Sequence, residues 1–223
     1  MDITTIQAQI GSLPDERQRE ILALLDELSG ARVREEANGD FLSFVKEVWP
    51  AFIEGSHHRV MADAFNRIAS GELKRLIINM PPRHTKSEFA SHLFPAWYLG
   101  KFPDRKVIQT AHTAELAVGF GRKVRNLVGS SEYATIFPGV ALSADSKAAG
   151  RWNTSSDGDY FAIGVGGAVT GKGADILIVD DPHSEQEAAL NDPNVYNKTY
   201  EWYTSGPRQR LQPGGAICLV MTR

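Results

Sequence analysis

Two kinds of hydrophobic pattern divide the chain. From residue 40 onward, short apolar runs alternate with stretches of helical periodicity, as in a parallel sheet whose strands are joined by helices. The runs are RLIINM from position 75, VIQTAH from 107, ILIVD from 176 and ICLVMT from 217, and YFAIGVGG from 160 adds a further candidate strand. Near-continuous apolar strands of this kind belong in a sheet covered by helices on both faces. The segment AELAVGFGRKVRNLV, from 114, has helical spacing instead. Residues 1–39 differ. Ser12-Leu13-Pro14-Asp15 predicts a helix start with Ser12 as N-cap, and Ile21, Leu22, Leu25 and Leu28 recur on one helical face among charged residues. Ser29-Gly30 is the expected stop and 34–39 the expected hinge, making 1–39 a helical appendage to a domain spanning 40–223. That helix either packs on the domain or docks on a partner.

In an open α/β sheet, ligands bind beyond the carboxyl ends of the strands. After the first run comes PPRHTKSEF, a tight polar turn opening a helix at Lys86-Ser87. Amides at a helix N-terminus face an anion, a lysine there reaches the β and γ phosphates, and a following hydroxyl can ligate magnesium. Pro82, Arg83, His84, Thr85, Lys86, Ser87 and Glu88 are therefore the candidate nucleotide-contacting residues. The loop departs from GxxxxGK(S/T), because Met80 or Pro81 holds the first glycine position and Thr85 the second. GGAVTGKG, at 166–173, matches the text better, but it runs into a strand and not a helix, so its amides lack the geometry that phosphate needs. The run ILIVDD delivers two carboxylates. Asp180 is the candidate magnesium ligand, and Asp181 stands where a water-activating acid is usual. The last run places Thr222 and Arg223 beside the same edge. Ending directly after a strand, the sequence reads as a fragment.

Bulk properties narrow the class. The 223 residues, 42% hydrophobic and 23% charged, suit one large domain with an appendage. No run approaches the roughly 20 apolar residues of a membrane span, and MDITTIQAQI lacks a secretory n-region, so a cytoplasmic protein is expected. Cys218, the single cysteine, cannot form an intrachain disulfide and sits in an apolar run. The histidines, including adjacent His57 and His58, lack zinc spacing. A net charge of −3 means that any nucleic-acid contact must use local patches, of which Arg122-Lys123-x-Arg125 and Arg208-x-Arg210 are the densest. Trp202 and Tyr203 read as packing residues, while Phe52, His58 and Arg59 are positional candidates for flanking the adenine of a bound nucleotide.

In order along the chain, HHRVMADAF, RLIINMPPRHTKSEFASHLFPAWYLG, YFAIGVGGAVTGKGADILIVDDPHSEQEA, EWYTSGPRQRL and ICLVMTR resemble the large terminase subunit of tailed bacteriophages, over roughly 41–223. The resemblance implies a P-loop NTPase of the additional-strand (ASCE) type. Its implied job is to hydrolyse ATP with Mg2+ and drive double-stranded DNA into a procapsid, as a homo-oligomeric ring on the portal protein alongside a small terminase subunit. The family's C-terminal nuclease is not expected in this chain. Matched by position, Lys86 and Ser87 are the phosphate-loop lysine and magnesium hydroxyl, Arg83 the loop arginine approaching the γ-phosphate, Asp180 the magnesium-organising acid and Thr222 the coupling residue. Asp181 falls where relatives carry a catalytic Glu, with Glu185 or Glu187 as substitutes. Thr85 replaces a usual glycine. Lys172 stands where relatives carry an arginine that reaches the neighbouring subunit's nucleotide, with Arg151 as an alternative. Two rival readings remain: a helicase-like P-loop translocase, and a non-enzymatic assembly adaptor.

Overall fold

The computed structural model describes residues 13–145, 148–190 and 192–222. Helix α1, Asp15–Gly39, starts after Pro14 with no side-chain cap; Ser12, the expected cap, lies outside the described residues. The helix passes straight through Ser29-Gly30 and the expected hinge. A mid-helix glycine costs only about 1 kcal/mol, and the far end is anchored: Ala37 is fully buried, Trp97 Nε1 donates to its carbonyl at 3.1 Å, and Lys101 Nζ donates to the carbonyls of Asn38 and Gly39, each at 3.3 Å. Leu22, Leu25 and Leu28 remain 55%, 46% and 65% exposed, so the apolar face is not packed on the described part of the domain.

Helix α2 (Phe41–Val48) is capped by Asp40, which accepts from the Ser43 amide, and α3 (Ser56–Ala69) leads into β1 (Arg75–Met80). Helical backbone resumes at Lys86, widens into a π-helical segment over Glu88–Leu93 and continues as α4, Phe94–Lys101. Then follow β2 (Lys106–Ala111), α5 (Ala114–Val128), α6 (Ser131–Ile136), β3 (Arg151–Asn153), β4 (Asp159–Gly164) and β5 (Ala174–Asp180). Helices α7 (Glu185–Leu190) and α8 (Pro193–Ser205), a 3-10 turn (Pro207–Arg210) and β6 (Leu211–Thr222) complete the described chain.

The six strands form one mixed sheet in the order β1-β6-β5-β2-β4-β3, parallel except for the β3–β4 pair. β6 thus lies between β1 and β5. Alternation sorts the side chains. Ile176, Ile178, Ala216, Cys218 and Val220 join the core beneath α1 to α6, while Leu177, Val179 and Ile217 face the smaller cluster that Tyr203 of α8 helps to cover. A cavity of about 380 Å³ remains under α8, between Tyr196, Tyr203, Ile217 and Leu219.

Phe41 anchors the larger core, with ring centroids 5.1 Å from Phe65, 5.5 Å from Phe89 and 5.6 Å from Trp97, all edge-on. Such pairs add about 0.5–1.5 kcal/mol each beyond area burial. Because Phe89 sits in the π-helical segment, this cluster fixes the helix that begins at Lys86. Among the described residues, no helix is long and apolar enough to cross a membrane.

Candidate active site

The parallel register puts four strand ends side by side, those of β1, β6, β5 and β2. Met80 aligns with Thr222, Val220 with Asp180, and Asp180 with Ala111. The carboxyl edge of the sheet therefore gathers the loop after β1, the end of β6 and the acidic pair after β5.

Lys86 is 7% exposed, and its Nζ lies 3.5 Å from Asp181 Oδ2. Ser87 Oγ donates to Asp180 Oδ1 at 3.0 Å, and Ser91 Oγ donates to Asp180 Oδ2 at 2.6 Å. Ser91 in turn accepts from Gln109 Nε2 of β2 at 3.2 Å. Asp181 leaves the strand with φ 39°, its amide donating to the Val220 carbonyl. Its carboxylate accepts from the Thr222 amide (2.7 Å) and hydroxyl (3.0 Å), so one acid links Lys86 to the end of β6. Ser91 and Gln109 escape sequence reasoning: one lies on a helix and the other on a strand, and only the fold stacks them behind Asp180.

Burial pushes the Asp180 carboxyl up to about 6, and neighbouring Asp181 adds to the rise, while the hydroxyls of Ser91 and Ser87 and the Lys86 ammonium oppose it. A carboxyl bound to its proton in the folded state at a pH where the unfolded chain has lost it stabilises the fold there. That contribution is lost as pH rises from about 4 through 6, so cation-free protein is expected to lose stability across this window. Ser91→Ala, which removes a hydrogen bond to the ionised form, is expected to carry the loss above pH 6. Thermal unfolding between pH 4 and 8 checks both; identical profiles for the two proteins would contradict this account of Asp180.

The loop itself is strained. Arg83 and Thr85 have φ of 63° and 60°, the left-handed region, where a β-branched residue is an outlier costing on the order of 1–3 kcal/mol. Thr85 thus accepts the conformation that glycine would take freely. Pro82, Arg83 and His84 are exposed, and His84 Nδ1 lies 2.9 Å from the Pro82 carbonyl. Successive backbone amides in turn conformations of this kind can form anion-binding concavities.

No family model matches this chain, and no curated protein sequence matches it. The crystal structure of the HK97 bacteriophage large terminase does, with a TM-score of 0.55 and 10% sequence identity over 82% of this chain. The fold is terminase-like. At that identity the likeness concerns the fold alone, and the chain spans 37% of the length of the HK97 protein.

Several expected site residues lie apart from this cluster. Glu88 points to His92 Nδ1 (2.6 Å) and Lys123 Nζ (2.8 Å); the His92 hydrogen bond, with help from Lys123, holds its carboxyl down at about 2. Lys172 sits just before β5, at the amino edge of the sheet, with Nζ 2.5 Å from Asp159 Oδ2 and 5.4 Å from the Phe161 ring centre. The GGAVTGKG segment is a helix-free crossover between β4 and β5, with positive φ at Gly166 and Gly171. Arg151 is exposed on the short edge strand β3, and Arg208 and Arg210 occupy the 3-10 turn leading into β6, remote from the carboxyl edge. Glu187 accepts from the Ser184 amide and lies 3.3 Å from His112 Nδ1. The Glu185 side chain and Arg223 lie outside the described residues. Arg59 pairs with Glu54. Trp202 donates to the Gly167 carbonyl at 2.8 Å, and Cys218 is fully buried with its thiol pushed up by burial.

Proposed function

We propose that this chain is an ATP-hydrolysing motor domain of the terminase type, with the loop after β1 as its phosphate loop. What carries the reading is the convergence of Lys86, Ser87, Asp180, Asp181 and Thr222 at one sheet edge, on a terminase-like fold. The anion-binding concavity at 83–87 and the Lys86 ammonium take the β and γ phosphates, and exposed Arg83 approaches the γ-phosphate from the loop.

The donor set fits a small hard cation. Asp180 offers a buried carboxylate and Ser87 a hydroxyl, both of them oxygen donors. Among the described residues no group of three or more His, Cys, Asp or Glu side chains could hold a metal ion. Asp180 and Ser87 would hold Mg2+, which would supply neutralisation of phosphate charge. Asp181 orients the attacking water, and its grip on Thr222 passes any change of charge beside Lys86 to the end of β6.

The same reading makes double-stranded DNA the translocated partner, and a ring of copies on a portal protein the working assembly, with a small terminase subunit alongside. Lys172 or Arg151 would then serve a neighbouring copy, because neither shares this chain's own carboxyl-edge cluster. The exposed leucines of α1 favour a second reading, an assembly adaptor, for the same chain. Phosphate release from ATP by the purified protein separates them. The motor reading predicts release that requires Mg2+ and rises per subunit with protein concentration; no release at any concentration supports the adaptor.

A further inference from the structure

We propose that His58 is a positioning residue for the phosphate loop, required because position 85 is a threonine held in a left-handed conformation. The inference rests on the function proposed above for its effect on nucleotide, but its structural part stands independently.

Thr85 immediately precedes Lys86, so its backbone sets where the first turn of the helix points. Its φ of 60° is one that glycine adopts freely and a β-branched residue resists. Something must hold it there, and both hydrogen-bonding directions of its hydroxyl are used. Thr85 Oγ1 donates to the His84 carbonyl at 2.7 Å and lies 2.7 Å from His58 Nε2. The proton on that second contact is decided at the other side of the ring. His58 Nδ1 is 2.8 Å from the Gly55 amide, which can only donate, so Nδ1 accepts and the neutral ring carries its hydrogen on Nε2. His58 therefore donates to Thr85, and only this tautomer satisfies both neighbours.

The ring cannot easily turn away. It is 5% exposed, stacked on Phe89 at 4.8 Å and edge-on to Phe52 at 4.7 Å. Burial lowers its pKa, with the neighbouring His57 adding to the effect, which favours the neutral form that the geometry requires. Phe89 belongs to the helix that Lys86 starts, so one imidazole braces the loop through Thr85 and packs on the helix that follows it. The brace comes from α3, 27 residues earlier in the chain.

A plain core histidine would make the same ring contacts, and a double-mutant cycle tells the two apart. His58→Phe keeps the ring and loses the hydrogen bonds; Thr85→Gly removes the strain that the bond offsets. With Thr85 present, His58→Phe is expected to weaken Mg·ATP binding about tenfold, the worth of one hydrogen bond at a buried strained site. In the Thr85→Gly protein the same change is expected to cost less than about twofold. His58→Gln, whose amide can donate toward Thr85 and accept from Gly55, is expected to recover most of the loss. Amide hydrogen exchange at Lys86 and Ser87, measured without nucleotide, is expected to follow the same pattern. Equal effects of His58→Phe in both backgrounds would overturn the proposal and leave His58 as packing. If no variant binds ATP but the exchange pattern holds, the brace stands and the proposed function fails.

Discussion

Lys86→Ala is expected to lower turnover of Mg·ATP by roughly 10²–10³-fold, the usual cost of removing one preorganised charged donor from a site where anionic charge develops. The effect is electrostatic. Lys86 is 7% exposed, and its nearest described anion is Asp181 at 3.5 Å, longer than a good charge-assisted hydrogen bond. A buried ammonium with no close charge-assisted hydrogen bond to the carboxylate nearest it gains when a triphosphate arrives, and alanine forfeits that gain. The fold should survive, because the helix after the loop is anchored through Phe89 and Phe94, both fully buried. Phosphate release together with a circular dichroism spectrum checks both halves. A Lys86→Ala protein that is folded and hydrolyses ATP at the parent rate would remove the loop from the mechanism.

Asp180→Asn is expected to have the second largest effect, a fall in Mg2+-dependent turnover of at least about a hundredfold, because the site loses its charged metal ligand. Its stability should move the other way. Above pH 6 the parent protein holds Asp180 ionised in a buried position, whereas the carboxyl pKa of about 6 lies well above the 3.8 of a free aspartate. The difference corresponds to roughly 3 kcal/mol of unfavourable burial at neutral pH. Asparagine avoids that cost and still accepts a hydrogen bond from Ser87 or Ser91. Thermal unfolding at pH 7.5 should therefore give an equal or higher midpoint for Asp180→Asn, and a shift to higher midpoint on adding Mg·ATP only for the parent. Destabilisation accompanying the loss of activity would show Asp180 to be a structural carboxylate.

What could be read from the sequence was what neighbouring residues encode. Strands β1, β2, β4, β5 and the end of β6 announce themselves because their apolar runs are dense, and the residues that matter close those runs or stand in the loop directly after them. Lys86, Ser87, Asp180, Asp181 and Thr222 were visible for that reason, and the structure brings these five together. The choice between two lysines also depended on neighbours: Lys86 opens a helix and Lys172 precedes a strand.

The missed features have no local signal. β6 begins at Leu211 and not near Ala216, because Pro213-Gly214-Gly215 reads as a turn although the strand carries it through with Gly214 at φ 84° and a register shift opposite Ala174 and Ile176. β3 is three residues long, pairs with β4 at the sheet edge, and its Trp152 stacks on Tyr160 at 4.9 Å. Helix α1 ignores Ser29-Gly30 because tertiary contacts at Ala37 outweigh one weak breaker. His58, Ser91 and Gln109 act on Thr85 and Asp180 across separations of 27, 89 and 71 positions, the last through Ser91, and no spacing rule connects them.

The central claim is that Lys86, and not Lys172, meets the phosphates of ATP. Equilibrium binding of a fluorescent, slowly hydrolysed ATP analogue with Mg2+, measured side by side on Lys86→Ala and Lys172→Ala, tests it most directly. Lys86→Ala is expected to lose binding by roughly a hundredfold while Lys172→Ala binds like the parent. Parent-like binding by Lys86→Ala, with binding lost in Lys172→Ala, would contradict it.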